Sequence, residues 1–534
     1  MEDGHAAAAD QRNVIAFLST PTAYGPHVGA IERIDTHISV VWLIGARAYK
    51  LKRSVCLDYV DFSTLERRRA ACEAEVRVNA RTAPSLYLGV LPVTREADGA
   101  LALSGAGVPV EWLVEMVRFD QATLFDRLAA DGQLDIGLMD GLAGAIARLH
   151  ASAASRPDHG GRDGMAWVVE GNASGFAIDG APVLDRASCD RLTEDARRAI
   201  ERQAVLLEGR RRTGKVRACH GDLHLRNICL VDGAPTLFDG VEFNEQISCV
   251  DVLYDLAFLL MDLWHRQLGF HANVVFNAYL TRTLDLEGLA LLPLFLSCRA
   301  AVRAKTSATG VRLQGDSGRG RELADEARQY LALAGDLLQP RAPLLVAVGG
   351  WSGSGKSTLA RRLGPTVGPA PGAVILRSDV IRKQLLGVPL LTSLGPEGYA
   401  PAVTRHVYQT IADRARAALT AGHAVIADAV YGSAGERDEI ADVARRAGVP
   451  FVGVWLEGRP RLLAKRIRAR TADASDATPE VLQRQRRSAL GPLDWHRLDG
   501  SWDAPAVEAA AAALLTQEGL AQVAAGGGAF LHRR

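Results

Sequence analysis

His220-Gly221-Asp222-Leu223-His224-Leu225-Arg226-Asn227, followed by Leu237-Phe238-Asp239, is the stretch on which the first half of the chain turns. The apolar runs at residues 228–231 and 236–238 read as two short strands around the turn Asp232-Gly233-Ala234-Pro235. A hairpin returns the chain to where it left, so Asn227 and Asp239 are expected side by side. An amide oxygen and a carboxylate placed there suit a magnesium ion on nucleotide phosphates. Asp222, on the preceding loop, is placed to take the proton of an attacking hydroxyl. A lone His-Gly-Asp is as readily a capped loop. The ordered set of base, amide and carboxylate between apolar runs is much harder to obtain by accident.

Upstream, residues 38–44 and 46–51 read as strands meeting at Gly45, and residues 63–82 as a charged helix capped by Ser63 or Thr64. Strands are expected again at 86–93 and 112–117, then mainly helix, including 137–151. The expected organisation is a flexible leader (1–25), a β-rich small lobe (26–117) and a helical large lobe (118–337).

This half resembles the aminoglycoside-phosphotransferase-like branch of the protein-kinase fold. The segment from His220-Gly221-Asp222 to Asn227 matches its catalytic loop and Asp239 its metal-binding aspartate. The resemblance implies a strand lysine that contacts nucleotide phosphates and pairs with a helix glutamate. Ala48-Tyr49-Lys50-Leu51-Lys52 puts both lysines on one strand face, so alternation does not choose between them. The apolar run leading into Lys50 resembles the family's approach to this residue and favours it over Lys52; Glu75 is preferred to Glu73 as the partner. Thr36-His37-Ile38-Ser39 stands where a glycine-rich loop would cover phosphates, a departure from protein kinases that the aminoglycoside branch tolerates. His150 resembles a buried structural histidine of the family. Arg299, Arg303 and Lys305 form a basic helical face, either solvated or facing substrate.

Beyond a Pro-containing linker at 338–343 the pattern changes to alternating strands and helices, with strands expected at 344–348, 374–376, 424–427 and 451–456. Gly350-Trp351-Ser352-Gly353-Ser354-Gly355-Lys356-Ser357 follows the first of these and opens a helix continuing through Thr358. Strand, glycine loop and helix start give the motif physical meaning: backbone N–H groups cradle phosphate, Lys356 reaches its oxygens and Ser357 ligates magnesium. Asp379 and Arg382, three apart after a Ser378 cap, share a helix face, the aspartate fit to act as base and the arginine to hold substrate. Asp428 ends a Walker-B-like run and suits a magnesium contact. Arg466 and Arg470 read as one helical face able to close over a transferring phosphate, or as a solvated one. This half (344–520, with a tail at 521–534) resembles the nucleoside/gluconate/polynucleotide-kinase-like P-loop kinases. In that group an Asp-x-x-Arg element binds the acceptor and lid arginines bind ATP.

The whole chain resembles bacterial fusions of these two domains. The expected fold class is an α+β bilobal kinase-like domain followed by an α/β P-loop NTPase domain with a parallel sheet. Its 534 residues, 48% apolar and 23% charged with net charge +1, describe globular protein and give no electrostatic argument for nucleic acid or membrane. No aromatic–basic stripe supports a nucleic-acid-end kinase. Cys56, Cys72, Cys189, Cys219, Cys229, Cys249 and Cys298 are scattered without a CxxC pair, which fits a reducing cytoplasm. Neither a signal peptide nor a membrane span is visible. Only seven of the 62 basic residues are lysine, and three of the seven fall inside motifs. The expected function is ATP- and Mg2+-dependent phosphoryl transfer to a hydroxyl of a small polar acceptor such as a sugar, aminoglycoside or nucleoside. The alternative is one kinase module coupled to an ATP-hydrolysing P-loop regulator.

Overall fold

A computed structural model describes residues 11–25, 29–57, 59–470, 473–487 and 490–517. The chain divides into two compact units, residues 1–167 with 204–259 and residues 168–203 with 260–534.

In the first unit, strands β1 (Glu32–Asp35), β2 (Ser39–Ile44) and β3 (Arg47–Lys52) pair as antiparallel neighbours. Helix α1 (Leu65–Asn79) follows, then β4 (Tyr87–Arg95), β5 (Leu101–Leu103) and β6 (Val108–Val117). The six-stranded sheet runs β1-β2-β3-β6-β4-β5, with β6 against β3 at Lys50↔Val114. Thr64 caps α1 by accepting from Arg67 N at 3.2 Å, and the helix buries Arg68, Ala71, Cys72, Glu75 and Asn79 at three- and four-residue spacing. Two of these are charged, so their partners decide the packing: Arg68 Nε lies 2.9 Å from Glu111 Oε1 on β6.

The leader expectation fails for residues 11–24. Residues 11–18 are helical and Pro21–Tyr24 forms a 3-10 turn. Val14 and Leu18, both fully buried, pack with Val40, Trp42, Leu51 and Leu113 of the sheet. Gln11 Nε2 donates to Lys52 O at 3.0 Å and to Glu111 Oε2 at 2.8 Å. Residues 11–18 thus form a short helix that buries Val14 and Leu18, one turn apart. Residues 1–10 and the tail at 521–534 lie outside the described residues.

Helix α2 (Ile136–Ser152), capped by Asp135, buries Met139, Leu142, Ala143, Ile146, Leu149 and His150. Strand β7 (Val216–Ala218) leads into the catalytic-loop segment, and β8 (Ile228–Val231) and β9 (Ala234–Leu237) form the hairpin. Its turn is shorter than expected. Val231 pairs with Ala234, leaving Asp232 and Gly233 at φ +51° and +75° as a two-residue turn. Pro235 sits inside β9, tolerated because a two-stranded ribbon leaves its outer side unpaired. Strand β10 (Cys249–Asp251) and helix α3 (Val252–His265) follow.

In the second unit, α4 (Gly269–Thr283), α5 (Leu292–Gln314) and α6 (Gly318–Leu338) precede the parallel sheet. The solvated reading of the α5 arginines is corrected by α6. Arg299 is buried, and Arg303 lies over the Tyr330 ring at 5.4 Å and reaches Glu326 at 3.4 Å. Strand β11 (Leu345–Gly350), helix α7 (Lys356–Leu363), strand β12 (Val374–Arg377), helices α8 (Ser378–Leu385) and α9 (Pro401–Thr420) and strand β13 (Val425–Asp428) form the first part of the α/β fold. Helix α10 (Ala434–Ala447), strand β14 (Phe451–Glu457), helices α11 (Pro460–Arg468) and α12 (Pro479–Arg487), strand β15 (His496–Asp499) and helix α13 (Ala504–Gln517) complete it. The five strands are parallel in the order β12-β13-β11-β14-β15. Four lie where the apolar runs place them. Strand β15 escapes that pattern because His496-Arg497-Leu498-Asp499, at the sheet edge, carries one apolar residue. Among the described residues no helix is long and apolar enough to cross a membrane.

Candidate active sites

The first candidate site is built on β3, α1 and the loop from His220 to Asn227. Lys50 Nζ donates to Glu75 Oε1 at 2.8 Å and lies 2.5 Å from Asp239 Oδ1. Lys52 Nζ pairs with the other oxygen of the same Glu75 carboxylate and with Glu242. The two strand lysines therefore converge on one buried glutamate. Only Lys50 reaches Asp239, while Glu73 sits at the surface with Arg69 at 2.9 Å. Burial opposes the Lys50 charge, but Asp239 and Glu75 outweigh it and hold the ammonium well above its ordinary range. Glu75 is likewise desolvated, and the two lysines hold its carboxyl below the usual range. Burial pushes Glu242 up despite Lys52 beside it.

Asp239 sits at φ +60°, its N–H donating to Tyr87 Oη at 3.1 Å, and Gly240 N donates to Asn79 Oδ1 at 2.7 Å. The hairpin sets Asn227 beside this turn, because Phe238 N donates to Asn227 O at 3.0 Å. Asn227 Nδ2 donates to Asp222 Oδ2 and to Asp222 O, both at 2.9 Å. The Asp222–Asn227 pair and the Asp239–Lys50–Glu75 set are thus linked through the backbone bond between Phe238 and Asn227.

The loop before Asp222 is pinned from below. Asp255 accepts from Gly221 N at 2.8 Å and His220 N at 3.2 Å, and also meets His150 Nε2 at 3.1 Å. His220 Nδ1 accepts from Asp222 N at 3.4 Å and Nε2 donates to Phe238 O at 2.9 Å, an arrangement that needs the neutral ring. Burial lowers the His220 pKa accordingly. Glu242, Tyr87, Asn79 and Asp255 escape sequence reading. Asp255 shows there only as an interruption of an apolar run, though a carboxylate buried in such a run is itself a signal. In place of a glycine-rich loop, β1 and β2 are joined by a short turn in which Ser39 N donates to Thr36 Oγ1 at 2.9 Å.

The second site lies at the C-terminal end of the parallel sheet. Gly353 (φ +82°) and Gly350 (φ +136°) hold the loop in backbone conformations closed to other residues, and a Cβ on Gly353 would stand 2.6 Å from Leu463 O. Gly355, at φ +100°, opens α7, followed by Lys356, Ser357 and the exposed Thr358. Lys356 Nζ donates to Trp351 O at 3.2 Å, and Ser354 Oγ is buried without a partner. Burial lowers the Lys356 pKa, against the opposing charges of Asp428 and Asp379. Asp428 is buried, with Oδ2 lacking a hydrogen-bond partner. Burial raises its pKa although Arg377 and Lys356 oppose the shift. A buried carboxylate oxygen that accepts no hydrogen bond, beside a backbone cradle and a lysine, fits a nucleotide phosphate with its divalent metal.

Asp379 is half-buried at the start of α8, but Ser378 makes no cap bond. Arg382 is buried, donates to Gly398 O at 2.8 Å and stacks 4.6 Å from the Tyr399 ring centroid. The single-face reading of Arg466 and Arg470 fails because α11 ends at Arg468. Arg466 Nη1 donates to Gly500 O at 2.5 Å, whereas Arg470 Nε stands 3.9 Å from Asp473. Arg377, between Asp428 at 3.7 Å and Asp473, and Lys383, which reaches Asp476 at 3.0 Å, are the charged groups the sequence reading left unassigned.

Residues 46–292 match the model of the phosphotransferase enzyme family, and residues 345–492 match that of the AAA domain. Uncharacterized protein Rv2004c of Mycobacterium tuberculosis (strain ATCC 25618 / H37Rv) is 30% identical over 482 residues, 88% of this chain and 92% of its own. Uncharacterized protein Mb2027c of Mycobacterium bovis (strain ATCC BAA-935 / AF2122/97) gives the same values. Among solved structures, a choline/ethanolamine kinase family protein from Mesorhizobium loti aligns with 62% of this chain and 95% of its own at 13% identity and TM-score 0.40. A gluconokinase from Sinorhizobium meliloti 1021 aligns with 33% of this chain and 93% of its own at 23% identity and TM-score 0.24. This chain belongs to one family with the mycobacterial proteins, and joins a phosphotransferase-family domain to a P-loop kinase-like AAA domain as an ATP-dependent kinase.

Proposed function

We propose that the chain carries two nucleotide sites and transfers the γ-phosphoryl group of Mg2+-bound ATP to a hydroxyl of a small polar acceptor. The observation that carries this reading is the linked set Asp222–Asn227–Asp239–Lys50–Glu75. Asp222 acts as base: Asn227 Nδ2 fixes its carboxylate, and His224 Nε2 lies 3.3 Å from it. With that amide nitrogen committed to Asp222, the Asn227 oxygen and the Asp239 carboxylate are the atoms left to hold magnesium. Lys50, oriented by Glu75, draws the phosphates. The bound metal supplies charge neutralisation to the transferring group.

In the P-loop half, the backbone from Gly350 to Thr358 with Lys356 cradles phosphate, and Ser357 and Asp428 hold magnesium. Asp379 is the base, with Arg470 and Arg466 on the ATP side. Arg382 shapes the acceptor side by fixing Gly398 and Tyr399. That occupation of Arg382 favours a second reading, in which the P-loop half hydrolyses ATP as a regulator without an acceptor. The test is to purify Asp222→Ala and Lys356→Ala chains and screen phosphoryl transfer to sugars, aminoglycosides and nucleosides. Two separable acceptor activities support two kinases. Loss of all acceptor phosphorylation in Asp222→Ala, with only ATPase lost in Lys356→Ala, selects the regulator.

A further inference from the structure

Strand β12 is an edge of the parallel sheet. Its inner groups pair with β13, as where Val374 N donates to Ala424 O at 2.9 Å. Its outer groups would be left as bare edge donors and acceptors. Asn277 of α4 meets them. Its Nδ2 donates to Ala373 O at 3.1 Å, and its Oδ1 accepts from Ile375 N at 2.7 Å. One side-chain amide thus reproduces the donor–acceptor pair, N–H and C=O, that one residue of a sixth parallel strand would present opposite Val374.

The contact is reinforced along α4. Asn273, one turn earlier, donates to Pro371 O at 3.0 Å and Ala373 O at 3.1 Å. Gln384 of α8 donates to Thr281 O at 2.6 Å. The approach is close enough that a Cβ on Gly364 would collide with Asn273. Helix α4 lies within the stretch matching the phosphotransferase family and β12 within the AAA match, so the two matched segments meet through this amide.

Ile375 stands two residues before Arg377, which faces Asp428 and Asp473, and four before Asp379. We propose that Asn277 is a positioning residue for the P-loop site: by closing the β12 edge it sets the height of that strand, and through it Arg377 and Asp379. The phosphate loop hangs instead from β11, in the sheet centre. Asn277 therefore governs the reacting geometry more than nucleotide capture. This rests on reading the P-loop half as a phosphoryl-transfer site.

The test measures Mg-ATP turnover by the full chain in an Asp222→Ala background, with Lys356→Ala as the control that assigns the turnover to the P-loop site. Asn277→Ala is expected to lower kcat by about tenfold, with KM for ATP changed less than about twofold. In an Arg377→Ala chain the same substitution is expected to cost clearly less than in the parent chain, because part of its effect runs through Arg377. Asn277→Asp, which keeps the acceptor for Ile375 N, should fall between wild type and alanine, and serves if the alanine chain does not fold. Unchanged kcat, or full additivity with Arg377→Ala, overturns the positioning role. Turnover indifferent to Lys356→Ala overturns the P-loop reading beneath it.

Discussion

Lys50 Nζ lies 2.5 Å from Asp239 Oδ1, so the strand lysine and the carboxylate after the hairpin are in direct contact. Its neighbour Lys52 is the more buried, with 2% side-chain exposure against 12%, and points at Glu75 and Glu242. The two lysines should separate experimentally. Lys50→Ala is expected to cost at least about a hundredfold in phosphoryl transfer, since charge stabilisation in a dry site is worth several kcal/mol. Lys52→Met leaves Glu75 and Glu242 short of a buried partner and should destabilise the chain by about 3–5 kcal/mol. Steady-state kinetics and urea titration of both variants check this.

Gly353→Ala places a methyl group 2.6 Å from Leu463 O at φ +82°. We expect ATP binding at the P-loop to fall by at least about tenfold, while transfer dependent on Asp222 persists. Equilibrium binding of a fluorescent ATP analogue in a chain carrying Lys50→Ala and Asp239→Ala, which remove the phosphate and metal contacts proposed for the first site, isolates the P-loop. Unchanged affinity would contradict the cradle reading.

His423 is buried with Nε2 at 3.0 Å from Gly372 O, and burial lowers its pKa from 6.5 to about 4. The folded state therefore binds fewer protons at this ring than the unfolded chain. Its contribution is complete above pH 6.5 and lost as pH falls towards 4, amounting to about 3 kcal/mol. His423→Gln should flatten the fall of Tm across that window. An equally steep fall in the variant would place the titration elsewhere.

Removing residues 1–19 takes Val14 and Leu18 from the small-lobe core. Two buried aliphatic side chains correspond to about 3–6 kcal/mol. The truncated chain should melt well below the full chain by circular dichroism, and an unchanged Tm would show the segment to be dispensable.

Both folds were legible in the sequence for physical reasons. Alternation around Lys50, helical spacing through Glu75, and an apolar run ending at Gly350-x-x-x-x-Gly355-Lys356-Ser357 each report a local constraint. What stayed hidden depends on neighbours distant in sequence. Glu242 matters because Lys52 lies beside it, and Asp255 because two loop N–H groups and His150 converge on it. The seating of Arg303 on Tyr330 and Glu326 depends on α6 packing beside α5, which composition does not show. The end of α11 at Arg468 separates Arg466 from Arg470, a boundary that periodicity alone does not locate. The hairpin was expected with its turn two residues too long, because Pro235 reads as a turn residue when its strand has no further neighbour.

That hairpin is a molecular ruler. Ile228 to Val231 pair one for one with Leu237 to Ala234, and the bend between them has no spare residue. The spacing from Asn227 to Asp239 is thus quantised: lengthening either arm by one residue turns its side chains to the opposite face. An unmatched insertion in one arm would therefore break the register, whereas a change of side chain would not. A designer transplanting the site would have to move the ribbon with its register intact, and not only the two residues at its base.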